Sequence, residues 1–515
     1  MDPADEERSL GVELASPVEE EDLGAAKAKR AMGLVDWIGQ LRAAFGAPFL
    51  AVVMIVYGVN QGYGESVKNM AINYYWKDVQ KLQPSSTQAF QALSSLPWDI
   101  KPIYGLITDT FPIGGYRRWP YLATCGMAGS LCLWMLALLP TPSPLLATLL
   151  LAGAALCTAF PDVVTDAAVA QHSRNVPHLA SDLQSLSWGS MAIGGLSGCG
   201  IAGPAVHSLG PKGAFLLIST APLMLIVAAW ALPEDKLPKQ LAGANFAALL
   251  RTVHLFTATV RSPSIWKPAL YIYLFSGAVC PDISEAMFFW MTDSKHGPGF
   301  SENFLGLVSA IGYVAMVCGI LLYNTCFRFY SFRTMFKWTQ VAVCLVSLPD
   351  IALVTRYNLK LGVPDHFFVL GDKALSSVIF KLQLMPMLVL SAKLCPPGVE
   401  GTVFAFLMSV SNLGGTTASW LGAWLLRLFH VKKDDYTNLW LAVVVRSIMR
   451  LLPLIFLTAL VPDGGPDTLV DNGPALQVVA SNQDESEAQD DLVEMKKLAK
   501  GVELGQESQL LIQSL

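Results

Sequence analysis

The chain has 515 residues, of which 53% are hydrophobic and only 15% are charged, and its mean hydropathy is +0.45. Soluble globular proteins carry about 25% charged residues, so this composition excludes an ordinary soluble protein and predicts an integral membrane protein. The formal net charge of −5 arises largely in the two tails. Residues 1–42 and 462–515 are acidic and too polar to form a core, and we expect them to be disordered. We expect no nucleic-acid partner.

Apolar runs recur through the middle of the chain, and many approach the ~20 residues that a helix needs to cross a bilayer. We therefore predict an all-α integral membrane protein with about twelve transmembrane helices. In chain order the predicted spans are 44–66, 87–110, 119–139, 144–168, 181–206, 212–232, 265–291, 302–324, 334–355, 365–392, 400–427 and 437–460. They form two pseudo-symmetric six-helix halves, 43–232 and 264–461, joined by a polar linker at 233–263.

The distribution of basic residues predicts the orientation of the spans. Lys and Arg concentrate in the tails, in the linker and in the loops after even-numbered spans, and such loops face the cytoplasm. Both tails and the linker are then cytoplasmic. The acidic N-terminal segment is unlike a transit peptide, which favours the plasma membrane or an endomembrane over the plastid envelope.

The nine cysteines stand singly, mostly inside apolar runs, without the spacing of a metal site or a disulfide framework. We expect no metal and no cofactor. The sequence also contains no nucleophile motif and no phosphate-binding loop in the required context, so we do not expect an enzyme.

The stretch GLITDTFPIGGYRRWPYL, residues 105–122, joins spans two and three. Gly105, Asp109, Gly115, Arg117 and Arg118 match the loop signature of the major facilitator superfamily, with TFPI inserted. We predict a cytoplasmic gate in which Asp109 pairs with a basic residue across the interface between the halves. The alternative is a plain topology anchor, which explains the arginines but not Asp109.

Four motifs resemble the folate–biopterin transporter family within that superfamily. They are KPIYGLITDTFPIGGYRRWPYL, FPDVVTDAAVAQHSR, ASDLQSLSW and LMPMLVLSAKLCPPGVEGTVFAFLMSVSNLGG. The resemblance covers most of residues 45–460. The sequence departs from the family pattern at Thr165 and at Ala167–Ala168, which leaves the local packing and the substrate open.

Charged residues inside the predicted spans are the candidates for a midplane site, because each costs at least about 2.5–3.5 kcal/mol on insertion scales. The candidate substrate-binding residues are Asp99, Lys101, Asp162, Asp166, Asp282, Lys373 and Lys381, and the candidate stacking residues are Trp98, Tyr104 and Trp290. An overlay of the halves places Lys381 next to the position of Asp162, which predicts opposite charges at similar depth. The alternative is that the charges only pair with one another to hold the bundle together.

The resemblance implies a secondary active transporter that moves folates or pterins by alternating access, coupled to protons. In that reading Asp162 or Asp99 binds the pterin ring, and Lys381 and Lys373 bind the glutamate tail of a folate. Asp162, Asp166 or Asp282 would carry the proton. We expect a monomer whose partners are the small-molecule substrate, protons and the bilayer. Two alternatives stay open: a carrier for another small organic solute, and a non-transporting receptor with the same fold.

Overall fold

A computed structural model describes residues 34–176, 179–234, 236, 246–395 and 400–465 of the chain. These residues are almost entirely helical. The extended pairs among them are two isolated bridges, Ile113 with Tyr116 and Lys432 with Asp435. The all-α prediction is therefore confirmed, whereas both acidic tails lie largely outside the described residues.

The first half of the chain supplies nine α-helices, several of which follow one another within a single predicted span. They are α1 (Leu34–Phe45), α2 (Ala47–Val53), α3 (Glu65–Tyr74), α4 (Pro84–Ser95), α5 (Lys101–Thr110), α6 (Trp119–Leu138), α7 (Pro144–Asn175), α8 (Ala180–Ile218) and α9 (Thr220–Ala231). A π-helical segment, Met54–Gly64, joins α2 to α3, and a second, Tyr75–Val79, extends α3. Leu96–Ile100 forms a 3₁₀ turn between α4 and α5.

From residue 246 onward, the described chain contains eleven further α-helices. They are α10 (Phe246–Val260), α11 (Pro263–Tyr273), α12 (Ser284–Met291), α13 (Glu302–Leu322), α14 (Phe332–Ser347), α15 (Pro349–Val354), α16 (Tyr357–Lys360), α17 (Asp365–Lys393), α18 (Glu400–Leu428), α19 (Leu439–Met449) and α20 (Leu457–Leu460). The helix α10 lies in the predicted linker. π-Helical segments follow α11 (Leu274–Ala278) and α13 (Tyr323–Phe327), and a 3₁₀ turn (Leu452–Phe456) precedes α20.

Seven helical stretches in the described chain are long and apolar enough to cross a membrane, or eight if the bent pair of α1 and the helix that starts at Ala47 counts as one span. One stretch of 50 residues, Asp182–Ala231, covers the predicted spans five and six. It turns at Gly210, whose φ of 69° lies in the left-handed region that glycine adopts without strain. Helices also occupy the other predicted spans, and the count of twelve stays a prediction.

Breaks in the helices occur where the sequence places proline and glycine. Pro97 lies in the 3₁₀ turn of span two, and Pro281 follows a π-helical segment in which Gly277 has a φ of 125°. A proline ring cannot donate the backbone hydrogen bond of a regular helix. Both breaks expose backbone groups in mid-span, where neighbouring helices must satisfy them.

Three clusters of buried apolar side chains hold the bundle together. One lies within the first half, from Leu41 to Leu232, and one within the second, from Ile265 to Val461. The third contains residues from both halves, among them Trp76 and Trp290. Each half therefore has its own core, and a shared core joins them.

Hydrogen bonds join the two halves at one end of the bundle, which we call the distal end because it lies opposite the loop after α5 and the predicted linker. Lys77 donates to the Thr292 carbonyl at 3.0 Å and hydroxyl at 2.6 Å. The backbone N–H of Lys433 donates to Gln83 Oε1 at 2.9 Å. In the predicted orientation this end is extracytoplasmic, so the structure shows the two halves in contact on that side.

Candidate functional site

A cavity of about 410 Å³ lies where the broken span two meets spans seven, ten and eleven. We call it the Asp99 cavity. Its lining residues are Ser95, Trp98, Asp99, Phe275, Ser276, Phe380, Gln383, Leu384, Met387, Ser411, Asn412, Gly415, Thr416 and Ser419. The lining combines aromatic rings with one carboxylate and two side-chain amides, so it can accept a flat polar ring.

Asp99 has one oxygen available for a ligand. Thr416 donates its hydroxyl to Oδ1 of Asp99 at 3.2 Å, whereas the buried Oδ2 has no hydrogen-bond partner. Asn412 donates to the carbonyl of Trp98 at 2.9 Å. Helix α18 thus satisfies the backbone at the break in span two and leaves one oxygen of Asp99, a residue that lines the cavity, without a donor.

A second cavity of about 590 Å³ lies between α3, α8, α12, α13 and α17. We call it the Lys373 cavity. Asn69, Asn73, Phe288 and Tyr313 contribute to its lining, together with Asp350, Asp372, Lys373 and Arg446.

The charges of this cavity are unequally paired. Arg446 pairs with Asp350 at 2.5 Å, while its Nε is buried without a partner. Within the part of the chain that the structure describes, Lys373 forms neither an ion pair nor a hydrogen bond. The cavity therefore contains an ammonium group that is available to an anion.

Asp162 belongs to a buried polar cluster and lines neither cavity. Lys101 forms an ion pair with its Oδ2, and Gln61 donates to its Oδ1 at 2.6 Å. One turn along the helix, Asp166 accepts the hydroxyl of Tyr57. Lys101, at the start of α5, thus neutralises Asp162 within the same half, and Lys381 is not the ion-pair partner of Asp162; the prediction that Asp162 and Lys381 lie at similar depth stays a prediction.

Three other candidates also lie outside the cavity linings. Lys381 is buried with its Nζ 5.7 Å from the ring centroid of Trp188. Tyr104 stacks on Phe160 at 5.0 Å and donates its hydroxyl to the Pro97 carbonyl at 2.7 Å. Trp290 is buried in the shared core, where its N–H donates to the His296 carbonyl at 3.2 Å. The structure thus places Trp98, and neither Tyr104 nor Trp290, at a cavity.

Asp282 lies in the break of span seven and accepts several hydrogen bonds. Gln88 of α4 donates to its Oδ2 at 2.9 Å, and Ser284 donates both its backbone N–H and its hydroxyl at 3.0 Å. The backbone carbonyl of Asp282 also packs against Gly422, where an added Cβ would lie 1.6 Å from the oxygen. Through these contacts Asp282, two residues before the start of α12, binds the first residue of that helix and holds this end of it against α4 and α18.

The predicted gate is only partly visible, because the side chain of Asp109 lies outside the described residues. Gly105 approaches Val163 of α7, and Gly115 has a φ of 88°, which the tight turn after α5 requires. Arg118 donates to Gln171 at 2.8 Å. The proposed pairing of Asp109 stays untested.

The gate loop has a partner that the sequence did not indicate. Glu234, at the start of the predicted linker, accepts the backbone N–H groups of Arg117 at 2.6 Å, Arg118 at 3.0 Å and Trp119 at 3.0 Å. A carboxylate at this position satisfies the free N–H groups at the start of α6 and interacts favourably with the helix dipole. The available signal was an acidic residue next to Pro233, directly after span six and in an otherwise basic layer.

Other contacts come from uncharged polar side chains that the sequence analysis passed over, namely Tyr57, Gln61, Gln88, Asn412 and Thr416. All five carry an amide or a hydroxyl group and lie within predicted spans, and that placement was the signal. Among the described residues no group of three or more His, Cys, Asp or Glu side chains could hold a metal ion.

The arrangement of helices around inter-half cavities is that of a membrane transporter of the major facilitator type. Solved transporters share the fold. The alignment with the nucleoside transporter NupG (TM-score 0.59, 11% identity) covers 80% of this chain and 100% of the NupG chain. The alignment with the inward-open xylose transporter XylE from E. coli (TM-score 0.56, 13% identity) covers 82% of this chain and 98% of the XylE chain.

Sequence comparison identifies the family. The chain matches the BT1 family over residues 61–475, and it belongs to that family. It is 39% identical to "Probable folate-biopterin transporter 2" of Arabidopsis thaliana, over 85% of this chain and 87% of the relative. It is 33% identical to the "Folate-biopterin transporter" of Synechocystis sp., over 81% and 82%. The resemblance that the four motifs suggested is thereby confirmed.

Proposed function

We propose that this protein is a secondary active transporter that moves folates or pterins across a membrane by alternating access, coupled to protons. The names of its relatives support the substrate class, since they include folate–biopterin transporters of a plant and a cyanobacterium and "Folate transporter 2" of Plasmodium falciparum. The contacts between the halves at the distal end support alternating access. In that mechanism the halves close at one end of the bundle while they separate at the other, and the closed distal end is one of these two arrangements.

The Asp99 cavity is the proposed site of the pterin ring, and the free Oδ2 of Asp99 is the observation that carries this proposal. A pterin presents adjacent N–H donors on one edge, which suit a carboxylate, and a flat aromatic face. Trp98 and Phe275 line the same cavity and can stack on that face. The cavity volume falls within the range of about 300–1,000 Å³ that is usual for small-molecule sites.

Two lysines without acidic partners are the proposed anchors of a folate's glutamate tail. Lys373 faces its own cavity, and Lys381 follows Phe380, which lines the Asp99 cavity, along the same helix. Eight residues of helix separate them by about 12 Å. Asp162 and Lys101, which neutralise each other, are proposed to support the site from the neighbouring cluster rather than to bind the ring.

The remaining elements of the proposal rest on sequence. We propose a monomer in the plasma membrane or an endomembrane with both tails in the cytoplasm. A relative named "Probable folate-biopterin transporter 8, chloroplastic" shows that the family also reaches the plastid, so localisation of the tagged full chain in plant cells decides this point.

Uptake of labelled folic acid, 5-formyl-tetrahydrofolate and biopterin into transport-deficient cells tests the function. Asp99→Asn removes the carboxylate while keeping its size, and we expect uptake of all three compounds to fall at least about tenfold, which corresponds to 1.4 kcal/mol. The matched control is Asp463→Asn, whose side chain is 83% exposed and which should leave uptake unchanged at equal membrane abundance.

The lysines are tested in the same assay. Lys373→Gln and Lys381→Gln should weaken uptake of the two folates and leave uptake of biopterin intact, because biopterin has no carboxylate. Equal losses for folates and biopterin would contradict the tail assignment. Binding of a folate to the purified wild type without any uptake would instead favour the receptor alternative.

A further inference from the structure

One buried acid in the interface between the halves has no place in the substrate site described above. Glu285 lies in the first turn of α12 and is 4% exposed. Its Oε2 is buried and has no hydrogen-bond partner. A charged carboxylate in such a place would lose the hydration of an oxygen that has no donor in exchange, even with the side chain of Gln91 close enough to interact with the carboxyl group, and proteins usually avoid such a loss by keeping the group neutral.

The other acids buried in the bundle differ from Glu285 in their partners. Asp162 has Lys101 and Gln61, Asp350 has Arg446, and Asp282 has Gln88 and Ser284. Asp99 also has a buried oxygen without a donor, but Asp99 lines a cavity that can hold a ligand. Glu285 combines burial, a carboxylate oxygen without a donor, and a position away from both cavity linings.

Among the described residues, none of the groups that act on Glu285 is a compensating cation. Helix α4, which packs against α12, has the sequence PSSTQAFQALSS and carries no ionisable side chain. The charged group that faces Glu285 is Asp282, a second carboxylate three residues earlier. The proton is therefore the cation that can neutralise Glu285 in this arrangement.

Glu285 is also coupled to the contact between the two halves. Its backbone N–H donates to Gln88 Oε1 at 3.2 Å, and Gln88 Nε2 donates to Asp282 at 2.9 Å. At the other end of α12, Thr292 accepts the bonds from Lys77. The eight-residue helix that carries Glu285 is thus held to the first half at both ends while the distal side is closed.

We propose that Glu285 is the proton-binding site that couples transport to the proton gradient, protonated while the distal side is closed and releasing its proton when the halves separate. This inference rests on the proposed function and names the residue of its coupling step. Ser284, Met287 and Phe288 on the same helix line the Lys373 cavity, so movement of α12 would expose Glu285 to that cavity. Asp162, Asp166 and Asp282, the proton carriers expected from the sequence, would then serve structural roles.

The first test separates net transport from exchange. Glu285→Gln mimics the protonated side chain, so the closed state should form. We expect cells with this variant to lose accumulation of folic acid under an imposed proton gradient, with internal and external concentrations becoming equal. Counterflow of labelled against unlabelled substrate should persist, because exchange requires no net proton release. Accumulation equal to that of the wild type would overturn the proposal.

A second test does not depend on the substrate. Infrared spectroscopy of the purified full chain in lipid nanodiscs should show a carbonyl band of a protonated carboxylic acid that decreases as pH rises. The band should be missing from Glu285→Gln, shifted in Glu285→Asp and unchanged in Asp463→Asn. A band that persists in Glu285→Gln would reject Glu285 as the site. If the wild type moved no folate or pterin, the proposed function would fail, and this titration would still decide the role of Glu285.

Discussion

At the scale of single residues, the pairing of Lys101 with Asp162 determines which charges are available to a substrate. Both side chains are nearly buried, with 12% and 7% of their side-chain surface exposed. The pair removes Asp162 from the list of free carboxylates, whereas Asp99 lines a cavity and has one oxygen without a donor. Lys373 and Lys381 stay available because no acid of the described chain pairs with them.

Breaking this pair should cost stability, whereas removing both charges should not. Lys101→Met leaves the buried carboxylate of Asp162 with Gln61 as its donor and without a cation. Removing one partner of a buried ion pair typically lowers the free energy of unfolding by about 3–5 kcal/mol. The double variant Lys101→Met with Asp162→Leu replaces the pair by apolar groups and should recover most of that loss. Thermal unfolding of the detergent-purified proteins measures both, and equal midpoints for the single and double variants would contradict the prediction.

At the scale of elements, glycines permit the closest helix contacts. An added Cβ at Gly194 of α8 would lie 1.9 Å from the Gly58 carbonyl oxygen in the π-helical segment of span one. Backbone cannot move aside like the end of a flexible side chain, so the two helices would have to separate. The irregular segments of spans one and seven are thus held in place by close backbone packing as well as by hydrogen bonds.

Gly194→Ala should therefore destabilise the bundle, by roughly the 1–3 kcal/mol that overpacking costs. The matched control lies on the same helix: Gly189 has nothing within 4 Å of an added Cβ. Gly189→Ala should be neutral or slightly stabilising, because alanine favours the helix by about 1 kcal/mol over glycine. The fraction of monodisperse protein after heating reports the difference, and a Gly189→Ala loss as large as that of Gly194→Ala would refute the packing argument.

At the scale of the whole molecule, closure of the distal end depends on few polar contacts. Lys77 reaches Thr292 across the interface, and Gln83 reaches Lys433. A hydrogen bond from a charged donor contributes about 1.5–3 kcal/mol. Such an energy is enough to change the ratio of closed to open molecules by about tenfold.

Lys77→Met should shift this ratio toward the open state. The reporter is a cysteine at Ser376, which lines the Lys373 cavity, in a chain whose nine native cysteines are replaced. With Lys77→Met, this cysteine should react about tenfold faster with an external membrane-impermeant maleimide than it does with Lys77 in place. Lys81→Met removes an exposed lysine at the same end that makes no bond in the described chain, and should leave the rate unchanged. Equal rates in the two variants would mean that Lys77 does not hold the distal end closed.

Much of the fold could be predicted from the sequence, because bilayer thickness and backbone hydrogen bonding constrain helices locally. Apolar runs of the required length mark the spans. Proline is a weaker signal for breaks, because Pro97 and Pro281 lie at breaks whereas Pro161 and Pro386 lie inside continuous helices. The four motifs, which lie between residues 101 and 415, also sufficed to indicate the family. The site was predicted less completely: Asp99, Trp98 and Lys373 line cavities, whereas Tyr104 and Trp290 satisfy the backbone and fill the core.

By itself the sequence determined that the chain is helical, which segments are apolar and long enough to cross a bilayer, and which ionisable groups they contain, since these depend on the length and polarity of short segments. Only the tertiary structure decided which groups meet. Asp162 pairs with Lys101, Glu234 binds the start of α6, and Glu285 has no donor for one oxygen. The physical reason is that a side chain's partner depends on the rotation of its helix about its axis. One residue turns the helix by about 100°, and packing against distant segments sets that rotation.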